Sequence, residues 1–405
     1  MTRFVAILLF LFAIPFILES QTWNSFGNGF LNGGSTCLSS QEKLYIGTSG
    51  SSGITLTGFP TMGICSFDGS QIDSLGAGVG GYSGSARDAK WYNGKLIVGG
   101  DFSYAGGPTV WSIPHTGNLA AWDSLNGWSS ITPLNNPDFR VNAIQEYQGN
   151  LFIGGEFVTV NNISCRRIAK WNGISWSNVG GGFAGNCYVN CMAVYHNQLY
   201  VGGAIGLPNG PNSYYYNIAR WNGIQWDSVG GKTNFDVMAL AVDTVRDVLY
   251  AAGGFRQVGG TTAYGIAMWN DTIWSPVGSG TDTLWGTQCL AIYNGELYAG
   301  GANITITSQG DTLRNIYKYN GIKWVGVDGG ANNSVLSMGV YQGNLFVGGS
   351  FLQVGHGINA SRIACYGTTC PLGVGVRNKY RQFHLKCFQI QMIMFCILKV
   401  KNRSR

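Results

Sequence analysis

The sequence is poor in charge. Asp, Glu, Lys and Arg together make up only 11% of its 405 residues. A fold that binds nucleic acid needs a basic stripe or patch, and the body of this chain has none. The formal net charge of +6 misleads, because eight basic residues and no acid fall in the last stretch, 371–405. They are Arg377, Lys379, Arg381, Lys386, Lys399, Lys401, Arg403 and Arg405. Without them the net charge is −2, so nucleic acid is not an expected partner.

Histidine is scarcer still. The four are His115, His196, His356 and His384. His196 falls in a hairpin turn and His384 in the tail, which leaves His115 and His356 in loops. No His-Glu-x-x-His motif and no EF-hand Asp loop occurs, so neither a metal nor a cofactor is expected. Long apolar runs are lacking too, with one exception. Phe4 to Leu18 follows Arg3 and is nearly unbroken. It has the length of a signal peptide and is short for a membrane span. Cleavage is expected near Ser20-Gln21, giving an exported chain without a transmembrane anchor.

Glycine and aromatics are abundant: 62 Gly, and 13% Phe, Trp and Tyr. That composition suits one all-β domain of short strands and tight turns. Leu-aromatic-aliphatic-Gly-Gly recurs at Leu151–Gly155, Leu199–Gly203, Leu297–Gly301 and Leu345–Gly349. Looser copies end at Gly47, Gly100 and Gly254. The spacing is that of propeller blades. A turn signal precedes most copies, as in Tyr92-Asn93-Gly94, Tyr147-Gln148-Gly149 and Tyr293-Asn294-Gly295. Asn-Gly tolerates the positive φ of a two-residue hairpin. A second hairpin follows, as in Trp171-Asn172-Gly173 leading to Trp176, and Trp221-Asn222-Gly223 leading to Trp226. With Asn172-Gly173 as its turn, Ala169, Trp171, Ile174 and Trp176 share one apolar face for packing on the next blade.

Each repeat thus holds four strands, a to d, and seven copies are present. The last copy runs through Arg362–Tyr366 and then lacks its outer Trp strand. The surplus at the other end matches: Thr22–Phe30 is similar to Ser175–Phe183. The expectation is a seven-bladed β-propeller, four antiparallel strands per blade, closed by an N-terminal outer strand that completes the last blade. Residues 1–20 read as signal peptide, 21–370 as propeller, and 371–405 as a basic tail.

The Gly-Gly pairs and spaced aromatics resemble kelch-like and galactose-oxidase-like propellers. They are most similar to secreted propellers of Bacteroidota that end in a type IX secretion sorting domain. A more distant similarity is to fungal cortical polarity marker repeats. The resemblance covers about 22–370 and speaks for fold and export rather than activity. The tail departs from it, and reads as a remnant of the sorting domain or as a short basic amphipathic segment that touches membranes; the resemblance implies a secreted or cell-surface protein, periplasmic if the sorting domain is lost. In an exported chain disulfides are permitted, and the local candidates are Cys187 with Cys191 and Cys365 with Cys370.

Catalytic motifs are missing. Carboxylates from distant blades remain as candidates for glycoside hydrolysis, namely Asp101, Asp138, Glu156, Asp236 and Asp282. Asp101 and Glu156 follow the Gly-Gly pair in equivalent positions, where other blades carry Ala204, Ala302 and Ser350. The a–b and c–d turns lie on one face of the disc. The b–c and d–a connections lie on the other and read as long and mutually different. Variable loops on a rigid scaffold are where recognition concentrates. Tyr104, Trp111, Tyr214, Tyr215 and Trp285 on that face, near Asn209 and Asn212, form the candidate site. Phe183 and Phe235 also fall in d–a loops. Aromatics beside amides suit a neutral glycan. Two functions follow: a non-catalytic binding or adhesion module for an extracellular glycan or protein, or a carbohydrate-active enzyme. Two carboxylates opposed across the axial mouth would mark the enzyme.

Overall fold

The computed structural model describes residues 20–377 apart from 28, 31–34, 41, 49–52, 55–59, 62, 82, 107–115, 132–135, 184, 186, 208–215, 281–285, 307–311 and 372–374. Seven sheets surround an axis. Blades 1 to 6 span 35–74, 85–129, 141–178, 188–228, 237–276 and 287–326. Blade 7 comprises Val335–Tyr341, Asn344–Gly349 and Ile363–Gly367, and its fourth strand is Thr22–Ser25. Trp23 pairs with Tyr366 and Ser25 with Ala364, antiparallel, so the chain ends close the ring as expected. The first strands touch in cyclic order, with that of blade 7 against that of blade 1.

The a–b turns follow the sequence signal. Asn93 and Gly94 have φ of 47° and 75°, and Gln148 and Gly149 have 49° and 72°, so both central residues are left-handed. This turn's twist matches the strands it joins. The c–d turns differ from expectation. Trp171 pairs with Trp176, which leaves four residues in the turn rather than two. The Asn172 carboxamide accepts the N–H groups of Ile174 and Ser175 at 2.9 and 2.8 Å. Ile174 therefore stands at the tip, 85% exposed, and does not share the packed face of Ala169 and Trp176.

The core lies between blades. Seven buried clusters occupy the seven seams, such as Phe183, Val189, Leu199 and Trp226 between blades 3 and 4. Two polar staples repeat around the ring. The hydroxyl ending the first strand donates to a carbonyl in the next blade's a–b turn: Tyr92 to Gly149, Tyr147 to Asn197, Tyr195 to Asp247 and Tyr341 to Glu42. Blade 5 has Asp243 in place of that Tyr. There Arg246, held 2.8 Å from Asp243, donates to the Gly295 carbonyl at 2.7 Å. The outer indole N–H reaches back the other way. Trp128 donates to Leu75, Trp226 to Val179, Trp274 to Val229, Trp324 to Val277 and Trp23 to Val327, all between 2.7 and 3.1 Å.

The Gly-Gly pair has two separate causes. A Cβ on Gly154 would collide with Val189 of the next blade, and one on Gly155 with the Arg140 carbonyl of its own blade. The second collision marks a β-bulge at the start of each first strand. Such a bulge adds an unpaired residue and re-aims a side chain.

Cys365 and Cys370 are joined by a disulfide. Cys187 and Cys191 are free thiols. They serve opposite seams, Cys187 in the cluster between blades 3 and 4 and Cys191 against that between blades 4 and 5. The β structure also passes residue 370. Gly375–Arg377 pairs in parallel with Gln71–Asp73 on the outer edge of blade 1. Residues 1–19 and 378–405 lie outside the described residues.

Candidate functional site

The b–c connections are less varied than their sequences suggest. In blades 3, 5 and 7 each forms the same small hairpin: Thr159–Val160 with Ile163–Ser164, Gln257–Val258 with Thr261–Thr262, and Gln353–Val354 with Ile358–Asn359. One side chain from the preceding d–a loop clamps each hairpin by accepting two of its N–H groups. Asp138 does so at 2.7 and 3.1 Å, Asn234 at 2.8 and 3.0 Å, and Asn332 at 2.9 and 3.0 Å. Asp138, a candidate carboxylate, thus holds a loop in place.

Tyr104 lies half-buried in a two-residue strand, opposite Gly80. Trp111, Tyr214, Tyr215 and Trp285 lie outside the described residues, as do Asn209, Asn212, His115 and Asp282. Phe183 is buried and packs on Trp226 at 4.7 Å, so it serves the seam rather than the surface. Phe235 is 60% exposed.

The remaining candidate carboxylates gather where the first strands begin and the second strands end. Arg140, just before the first strand of blade 3, places Nε 3.8 Å from Asp101 and 3.5 Å from Glu156. Asp101 ends the second strand of blade 2, and Glu156 follows that of blade 3. The equivalent position in two adjacent blades therefore supplies both carboxylates, and one guanidinium bridges them. In the next blades, the Tyr188 hydroxyl donates to Asp236 at 2.9 Å. Burial raises the Tyr188 pKa to about 12, and its bond to Asp236 adds to the shift. Arg167 donates to the Glu156 and Gly185 carbonyls. Arg87 sits at the bulge of blade 2, between Ala86, opposite Gly100, and Asp88, opposite Gly99. Its pKa is lowered, first by desolvation and then by Arg140, while Asp101 and Glu156 act the other way. Arg87 itself is exposed to solvent.

Sequence reasoning found Asp101 and Glu156 through their shared place after Gly-Gly. It missed Arg87, Arg140 and Tyr188. Arg140 lies in a connection with no motif. Arg87 had a signal: the equivalent bulge positions read Asn142, Asn190, Met238, Gln288 and Leu336, none of them charged.

Among the described residues no group of three or more His, Cys, Asp or Glu could hold a metal, and no helix is long and apolar enough to cross a membrane. No family model matches the chain. No curated protein matches it either. Among solved structures it is similar to the extracellular domain of a candidate one-component system from B. thetaiotaomicron. The TM-score is 0.55 and the identity 13%, over 86% of this chain and 40% of that one. The chain thus spans less than half the length of that neighbour, and the likeness is one of fold. A computationally designed protein, Ika8, aligns over 85% of this chain and 97% of its own, at 13% identity and a TM-score of 0.46.

Proposed function

We propose that the chain is an exported, non-catalytic binding module that takes an extracellular glycan on the face carrying the b–c and d–a connections. The observation that supports this best is the arrangement of Asp101 and Glu156. They stand on neighbouring blades and share Arg140, rather than opposing each other across the mouth. Glycoside hydrolysis needs one carboxyl as proton donor and a second as base or nucleophile, flanking the scissile bond. A guanidinium set between the two occupies the place the sugar would need.

The apolar run Phe4–Leu18 supports export, and the neighbour of similar fold is itself an extracellular domain. The resemblance to kelch-like propellers of Bacteroidota points the same way and links export to type IX secretion. On this reading Trp111, Tyr214, Tyr215 and Trp285 provide the aromatic contacts to the sugar.

A glycan array probed with the full chain tests the reading. Binding is expected, and Trp111→Ala or Trp285→Ala weakens it while circular dichroism and melting stay unchanged. Release of reducing sugar from a polysaccharide panel, abolished by Asp101→Asn or Glu156→Gln, would make the chain an enzyme instead.

A further inference from the structure

The bulge residues of neighbouring blades have structural work that Arg87 lacks. In blade 3 the Asn142 amide donates to the Val189 carbonyl of blade 4 at 2.9 Å. In blade 4 the Asn190 amide donates to the Val237 carbonyl of blade 5 at 3.1 Å. Each ties its first strand to the next. In blade 2 that tie has moved one residue along. Asp88 accepts the Ile144 N–H of blade 3 at 2.7 Å and the Ala89 N–H at 2.8 Å. Where Asp88 stands, blades 3 to 7 carry Ala143, Cys191, Ala239, Cys289 and Ser337. Asp88 is enclosed enough that burial raises its pKa, against the pull of Lys90 and the two N–H groups. An enclosed carboxylate that accepts two N–H bonds is a committed structural group.

Arg87 is thereby freed. Among the described residues it has no hydrogen bond and no ion pair, and it is the one exposed residue among the described bulge side chains. Its neighbour Arg140 is already engaged by Asp101 and Glu156. An exposed guanidinium with no partner inside the protein is open to an anion from solvent. Its planar fork of N–H donors matches a carboxylate.

We propose that Arg87 anchors a single carboxylate of the bound glycan, so that the ligand is a uronate-bearing oligosaccharide rather than a neutral one. This rests on the reading that the loop face binds a glycan. The neutral ligand expected from the loop aromatics alone is revised by Arg87. The carboxylate is single because Asp101 lies on the strand paired with that of Arg87, and Glu156 reaches the same Arg140 as Asp101. A chain with a uronate at every residue would bring further negative charges against them. An isolated uronate among neutral sugars meets the cation without that repulsion.

The experiment uses the full chain and two forms of one probe. These are oligosaccharides carrying one hexuronate, and the same oligosaccharides after reduction of the carboxyl to the alcohol. Calorimetry is expected to show tighter binding of the acidic form, weakening as salt is raised. Arg87→Gln should cut affinity for the acidic form about 10- to 100-fold, the usual worth of a charge-assisted hydrogen bond, and leave the reduced form unchanged. Arg87→Lys should fall between, since it keeps the charge and loses the fork. The melting temperature of each variant separates lost binding from lost fold. Equal binding of both forms by the wild type overturns the inference and leaves the glycan-binding reading standing. So does an Arg87→Gln chain that binds the acid as well as wild type. Binding of peptides with a free C-terminal carboxylate, and of no oligosaccharide, overturns both.

Discussion

Blades 3 and 7 are built differently and share the same hydroxyl staple to the next blade. Blade 3 is one continuous stretch, 141–178, while blade 7 takes three strands from 335–367 and its fourth from Thr22–Ser25. The outer Trp is buried in both, at 3% and 2% exposure. Trp23 donates to Val327 as Trp226 of the continuous blade 4 donates to Val179. The lesson is that the unit of stability is the seam, not the blade. Each seam has its own apolar cluster and at least one of the two staples, whether or not the chain runs continuously through it.

The sharpest way to break that comparison is Trp23→Ala. Truncating a buried Trp typically costs about 3–5 kcal/mol. The same loss is expected from Trp226→Ala, read as a shift of the urea midpoint. If Trp23→Ala cost far less than Trp226→Ala, the closing seam would be weaker than the rest.

The hydroxyl staple gives a smaller test. Tyr147→Phe removes one neutral hydrogen bond between blades 3 and 4, about 1 kcal/mol. Blade 5 has replaced that hydroxyl with Arg246, so Arg246→Met should cost a similar amount at the seam with blade 6. A negligible loss would show that the Asp243–Arg246 pair only shapes its own turn.

One seam carries a titratable addition. His196 places Nε2 2.7 Å from Asp247 and Nδ1 3.4 Å from Asp271, both in blade 5. Arg220 and the Tyr200 hydroxyl also reach Asp271, and Tyr195 stacks on the ring at 4.0 Å. The bond to Asp247 raises the His196 pKa above its ordinary 6.5. A raised folded-state pKa means the stabilisation is complete below about 6.5 and is lost as pH rises through the higher folded value. His196→Gln should therefore cost most in mildly acidic buffer and least above neutrality. The side chain is 40% exposed, so the difference should stay below about 1 kcal/mol. Equal losses across pH 5 to 9 would remove the ion pair from the account.

The smallest effect belongs to a residue in no seam. Ile174→Ser should change stability by less than about 0.5 kcal/mol, because its side chain projects into solvent. A core-sized loss would restore the packed face that the sequence suggested.

Those contrasts trace what was legible. The closing strand could be read because a surplus Trp motif at one end matched a deficit at the other. The a–b turns could be read because Asn-Gly and its relatives adopt positive φ almost alone. Ile174 was misread because Asn-Gly there begins a four-residue turn, and the deciding bond comes from the Asn172 side chain, not from backbone propensity. The likeness of the b–c hairpins in blades 3, 5 and 7 was hidden because their turns differ: Asn161-Asn162, Gly259-Gly260 and Gly355-His356-Gly357. At the mouth, Asp101 and Glu156 could be aligned by the repeat. Their bridge to Arg140 could not, since a bulge shifts the strand's alternation by one residue and sequence periodicity does not show where.

The joint at Trp23 has a consequence for descent. A ring whose closing seam matches its other seams carries no chemical mark of where its gene begins. Any set of four strands is a cassette that meets its neighbours through a variation on one handshake. Rotating the reading order, so that translation starts in another blade, would present the finished disc with the same seven joints. Duplication and shuffling of blades could then proceed at the level of the gene while the fold stayed indifferent to it.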